Sequence, residues 1–160
     1  MPSMLALPGC SATMPGTTLG MYEVSGTIQS NTCGANTGAP NPWTFTVQLS
    51  KDSTTLYWNW LDGTPLLSGP LVSGVTTTID GTEADNLGGP DAGLDSCSMQ
   101  RADTLALTLA SESAPATFTG TMTYAFSVTS GNCAAQMSSG GGMYDVLPCS
   151  TVYTLAATKK

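Results

Sequence analysis

The chain contains no histidine. That absence excludes Ser-His-Asp triads, Cys-His dyads and every zinc site that depends on imidazole. Charge is scarce as well: 9% of residues are charged, against about a quarter in ordinary soluble domains. Positive charge is the scarcer sign, with four Lys and Arg against eleven Asp and Glu and a net charge of −7. The one adjacent basic pair is Lys159-Lys160. Phosphate neutralisation needs clustered cations, so nucleic acid is not an expected partner. An anionic membrane surface is disfavoured on the same ground. No apolar run approaches the roughly 18 residues of a spanning helix, and no window carries a 3.6-residue apolar stripe, so little helix is expected.

What is abundant is Thr, Ser and Gly, together with a two-residue rhythm of apolar side chains. Tyr22, Val24, Gly26 and Ile28 alternate with Glu23, Ser25, Thr27 and Gln29. Trp43, Phe45, Val47 and Leu49 repeat the pattern, followed by Leu56, Trp58 and Trp60. Leu105, Leu107 and Leu109 share a face, as do Phe118, Gly120, Met122, Tyr124, Phe126 and Val128; Tyr153 and Leu155 point inward from a last strand over 150–157. A weaker strand is expected over 71–80. This is the period of strands with one buried side. Lys51-Asp52-Ser53 and Asp62-Gly63-Thr64-Pro65 supply tight turns. The segments 35–42, 83–96 and 134–148 read as loops.

The 160 residues match one domain. The expectation is an all-β protein: residues 1–19 as an N-terminal arm and 20–160 as a single antiparallel meander of seven to eight strands. Sequential hairpins favour a small β-barrel, with a two-sheet β-sandwich as the alternative.

Five cysteines are present. Cys10 ends Leu7-Pro8-Gly9-Cys10, which resembles the bacterial lipobox, whose cysteine is lipidated after signal cleavage. The apolar stretch ahead of it is shorter than a usual h-region and has no basic residues before it. Cys33, Cys97, Cys133 and Cys149 remain as an even set without C-x-x-C spacing, hence two structural disulfides and an oxidising compartment. Three pairings are open. The similar flanks Ser30-Asn31-Thr32-Cys33 and Ser130-Gly131-Asn132-Cys133 favour Cys33 with Cys133 and Cys97 with Cys149.

Taken together, the lipobox-like start, Ser30-Asn31-Thr32-Cys33-Gly34, Leu56-Tyr57-Trp58 and Leu147-Pro148-Cys149 resemble secreted bacterial lipoproteins with a small β-domain. The resemblance implies a secreted or cell-envelope location and a lipid anchor at Cys10, and carries no activity. Gly20-Met21-Tyr22 is similar to the Gly-x-Trp opening of lipocalin and avidin-like barrels; it differs at the aromatic, and no Arg stands on the final strand.

Three constellations could carry function. Trp43, Trp58 and Trp60 could line a small-molecule or glycan site at a barrel mouth, or form the core, which is the favoured role for buried aromatics. Tyr57, if it points outward beside Asn59, could add to a glycan platform. The acidic stretch 80–95, with Asp85, Asp91 and Asp95, offers the hard oxygens that Ca²⁺ prefers, without EF-hand spacing; a solvated turn is the alternative. Met99, Met122, Met137 and Met143 are thioethers of the kind that suits Cu(I), though their irregular spacing reads as packing. Catalysis is not expected: Lys51, Glu23 and Glu112 are the available bases or acids, and nothing local sets them apart. The remaining reading is a structural protein that self-associates through strand edges.

Overall fold

The computed structural model describes residues 13–89 and 93–160. Eight antiparallel strands follow one another around a closed barrel in chain order. They are β1 Thr17–Asn31, β2 Trp43–Lys51, β3 Thr55–Asn59, β4 Leu67–Val72, β5 Thr76–Gly89, β6 Leu94–Leu109, β7 Thr117–Gly131 and β8 Cys149–Lys159. The barrel is the expected architecture, and β8 completes it by pairing with β1 from Tyr22–Lys159 to Asn31–Thr151.

Alternation decides which side of the wall each residue faces. Tyr22, Val24, Val47, Leu49, Leu56, Trp58, Leu105, Phe118, Met122 and Leu155 are sealed from solvent inside. The outer wall of β5 to β8 carries Thr78, Thr108, Thr119, Thr154 and Thr158, all exposed. A membrane-spanning barrel presents an apolar band outward; this arrangement is the reverse.

The hairpins at one end, here the base, join β2–β3, β4–β5 and β6–β7. Asp52 builds the first of them, its Oδ1 accepting from the Thr54 and Thr55 amides at 2.9 Å each. The base is plugged. The Tyr22 hydroxyl donates to the Pro115 carbonyl at 2.7 Å, and the Ser50 hydroxyl donates to the Pro15 carbonyl at 2.6 Å. Gly16, at φ +72°, has Lys51 O 2.4 Å from where a Cβ would stand, so only glycine lets the chain pass there. β1 begins at Thr17, so the last residues of the 1–19 segment already belong to the barrel wall. Cys10 lies outside the described residues.

Two strand expectations need correction. The stretch 71–80 is not one strand, because Ser73 and Gly74 adopt positive φ (53° and 69°) and turn the chain between β4 and β5. Within the stretch 83–96, residues 83–89 and 94–96 are strand and not loop: β5 and β6 stay paired from Thr76–Thr108 through Leu87–Cys97 to Gly89–Leu94. This hairpin rises past the packed interior, so backbone pairing holds it with no alternation of apolar side chains to mark it.

The disulfides are Cys33–Cys149 and Cys97–Cys133, with Cα separations of 4.9 and 5.0 Å. The favoured pairing is corrected by strand order. Cys33 and Cys133 do close equivalent strands, since β1 and β7 both run toward the mouth, but β8 lies between them. Each therefore bonds to a strand at its side: Cys33 follows β1 beside the first residue of β8, and Cys133 follows Gly131, the register partner of Cys97.

Peptide mapping without reduction is expected to recover Cys33 with Cys149 and Cys97 with Cys133. On the chain-entropy model their removal should cost about 5 and about 4 kcal/mol respectively in urea unfolding. Trp58→Ala, which empties the middle of the interior, should cost about 3–5 kcal/mol by the same measurement.

Candidate functional site

The main core fills the lower half of the interior, and a second buried cluster of Cys97, Met99 and Cys133 lies toward the mouth. Trp58 belongs to the filled part: it is fully buried and packs against Trp60, Phe118 and Phe45 at ring-centroid distances of 5.2, 5.9 and 6.1 Å. Above it Trp43 and Trp60 are half-buried, their rings 6.0 Å apart and inclined by 30°. Gly26 makes room for Trp43, whose ring carbon Cε3 lies 3.4 Å from where a Cβ would stand. Tyr57 is on the outer side of the wall, donating to Asp52 Oδ2 at 2.8 Å near the base. The four aromatic candidates therefore divide. Trp43 and Trp60 line the mouth, Trp58 fills the core under it, and Tyr57 is remote from both.

The mouth holds a cleft, open to solvent, of about 550 Å³, within the ordinary range for small-molecule sites. Its origin lies in strand pairing. β4 and β5 share two rungs, Leu71–Thr77 and Val72–Thr76, both near the base. They still approach closely at Gly69, where a Cβ would come within 2.6 Å of the Thr78 carbonyl. Beyond that point the wall parts, and the cavity runs between the β3–β4 connection (Asp62, Thr64, Pro65) and β5 (Ile79, Gly81, Glu83). A smaller recess of about 200 Å³ lies against Pro40, Phe126 and Tyr153. Arg101 and Tyr124 border both spaces.

Arg101 is the only arginine in the chain. Its Nε and Nη2 donate to the two oxygens of Asp103 at 2.7 and 2.8 Å, a bidentate pair. Nη2 also lies 2.8 Å from Glu83 Oε2 across the β5–β6 ladder. The guanidinium carbon stands 5.0 Å from the Tyr124 ring centroid, a cation–π contact. Bonding to Asp103 raises the Arg101 pKa further, so the cation is permanent. Burial first, and the Asp103 charge second, push the Tyr124 phenol far above its ordinary value, so it stays protonated and able to donate. Asp62, by contrast, is held below the carboxylate range by hydrogen bonds from the Thr64 hydroxyl and amide, so it is charged at neutral pH.

Sequence reasoning places Glu83 only in the acidic stretch 80–95 and Tyr124 only on an inward strand face, and it misses Arg101 and Asp103, though a signal for them exists. Arg101 and Asp103 continue the odd-numbered series of Leu105, Leu107 and Leu109, which places the lone arginine on the inner face. An ionised side chain in phase with a leucine row marks either a strand that has left the core or a polar site inside it; here both hold.

Two of the three acidic candidates fall within the described residues, and they stand apart. Asp85 is exposed on β5, Asp95 accepts from Asn132 Nδ2 at 2.7 Å, and Asp91 lies outside the described residues. Among the described residues no three potential ligands of His, Cys, Asp or Glu type converge. Met99 and Met122 sit in separate clusters, one beside the Cys97–Cys133 bridge and one in the main core.

Both disulfides stand at the mouth. Cys133 and Cys149 bracket the β7–β8 connection, which contains two short 3-10 turns, Ala134–Gln136 and Ser138–Gly140. Tyr144 from this segment packs on Phe126 at 5.4 Å, and the Asp145 amide donates to the Cys33 carbonyl at 2.8 Å. The rim is thus tied to β1 on one side and to β6 on the other.

No family model matches the chain, and no curated protein or solved structure matches it either.

All five tyrosines titrate above the ordinary phenol value: Tyr22, Tyr124, Tyr144 and Tyr153 through burial, and Tyr57 through its bond to Asp52. A phenol pKa raised by folding contributes stability that is complete below the unfolded value of about 10 and is lost as pH climbs through the folded values. Alkaline titration is therefore expected to show tyrosinate absorbance lagging free tyrosine above about pH 10, then appearing together with loss of the near-ultraviolet dichroism. A native spectrum with five ordinary tyrosinate steps would contradict the burial described.

Proposed function

We propose that the protein is an exported binding module that takes a small molecule or a glycan unit into the mouth of its barrel, and that it performs no chemistry on it. The observation that carries this reading is the cavity between β4 and β5. It is a concave space of ligand size, floored by a close-packed core and walled by two indoles and a phenol. Polar groups converge on it from the rim. Flat aromatic faces offer contact area at little entropic cost, while fixed polar groups set orientation. The two disulfides fix the rim on the β1–β8 and β6–β7 sides, which limits the ordering cost of binding there.

Export is supported by the same disulfides, since bonds of this kind persist in oxidising compartments. The lipobox-like Leu7-Pro8-Gly9-Cys10 adds an envelope anchor to the proposal, with the domain held at the membrane by lipid alone.

Self-association has one observation in its favour. Above Thr77, β5 has no register partner on its β4 side, which leaves a strand edge. That edge carries Asp80, Glu83 and Asp85, and like charges on a second copy of an acidic chain oppose pairing there. The cavity reading is the stronger.

A neutral fluorescent probe, N-phenyl-1-naphthylamine, is expected to bind with one-to-one stoichiometry and to quench tryptophan emission. Trp60→Ala should weaken it by about tenfold, the size of effect that loss of a buried aromatic contact produces, with the far-ultraviolet spectrum of the barrel retained. Saturable binding that is indifferent to Trp43→Ala and Trp60→Ala, or no binding, overturns the proposal. Sedimentation at rising concentration tests the second reading, which a monomer throughout would remove.

A further inference from the structure

Resting on the cavity reading above, we infer that the ligand class is an organic cation, of the quaternary or protonated alkylammonium type, seated against Trp43 and Trp60 with Asp62 and Glu83 as its counter-charges.

Four features combine to give this class. The first is the charge of the lining, which carries Asp62, Glu83 and Asp103 against Arg101 alone. Two carboxylates remain in excess, and both stand exposed at the rim of the space, where a cation enters. The second is the state of Arg101. Its Nε and Nη2 are engaged by Asp103, and Nη2 also by Glu83. A carboxylate, sulfate or phosphate ligand that reached the remaining Nη1 donors would sit beside the Asp103 and Glu83 carboxylates, so an anion meets repulsion where it would look for its donor. The third is the aromatic wall: ring faces are negative, and they attract alkylammonium groups whose own hydration is weak. The fourth is internal precedent. The guanidinium of Arg101 already occupies the Tyr124 face at 5.0 Å between acidic partners, so the protein satisfies a cation with the same two kinds of group that the rest of the cavity still offers.

The geometry also separates the roles. Asp103 holds Arg101 and has both oxygens committed to it. Glu83 is bound to Arg101 on one oxygen and is otherwise exposed, and Asp62 is exposed at the rim with its Oδ1 accepting from the Thr64 amide at 3.0 Å. These last two carboxylates retain accepting capacity for a cation entering through the parted wall.

The test uses the full, disulfide-intact chain and three probes of matched shape: choline, neutral 3,3-dimethylbutan-1-ol and anionic 3,3-dimethylbutyrate. Each is followed by calorimetry and by tryptophan emission at low ionic strength. Choline is expected to bind about tenfold more tightly than the neutral alcohol, with the butyrate weakest. In the variant Asp62→Asn with Glu83→Gln the choline preference should fall below about threefold, whereas Asp80→Asn, on the outer wall, should leave it intact. Equal binding of choline and the alcohol, or tighter binding of the butyrate, overturns the inference while the cavity reading stands. Binding of N-phenyl-1-naphthylamine with none of the three matched probes has the same consequence. Failure of every probe, the naphthylamine included, overturns both.

Discussion

Closure of β8 onto β1 is the interaction on which the rest of this protein depends. Until Tyr22 pairs toward Lys159 and Asn31 toward Thr151, the meander is a ribbon with two free edges and no interior. Once they pair, every odd or even position acquires an inside or an outside. Tyr22, Trp58, Phe118 and Leu155 can then bury their surface against one another. This closure is remote in sequence, so the entropy of joining the first and last strands must be offset by apolar contacts that form only when the ring is complete. The Cys33–Cys149 bridge lies across the same seam and reduces the freedom of the unfolded chain at the place where closure demands most.

The legible part of the fold was the part with one wet and one dry face. In β1, β2 and the lower halves of β6 and β7 the side chains alternate because one side is sealed, and Val24, Leu49, Leu107 and Met122 could be placed inward from spacing alone. The illegible part was the extension of β5 and β6 beyond the core. There Glu83, Asp85 and Asn86 stand on a strand whose two faces both meet solvent, and backbone hydrogen bonds leave no imprint on side-chain polarity. The break at Ser73-Gly74 was hidden for a different reason: Leu71-Val72 before it and Val75-Thr76-Thr77 after it all read as strand, and only a positive φ divides them.

At the site, composition indicated aromatics without distinguishing those that fill from those that line. Trp58 and Trp60 share a face and a residue type, and they differ in height along the barrel axis, a coordinate that strand periodicity does not carry. Disulfide connectivity failed similarly. The flanks of Cys33 and Cys133 are alike because their strands are alike in direction, whereas bonding requires neighbours, and neighbours in an up-and-down barrel run opposite ways.

The sparse pairing between β4 and β5 has a mechanical meaning. Seven seams of this barrel are laced by longer ladders, and the eighth is held by two rungs and the approach at Gly69. A thermal fluctuation that parts the wall will take the seam with least to break, and partial opening there leaves the closure of β8 on β1 and both sulfur bridges untouched. The barrel therefore resembles a clasped ring with a single hinge line, which can part there while the fold stays intact.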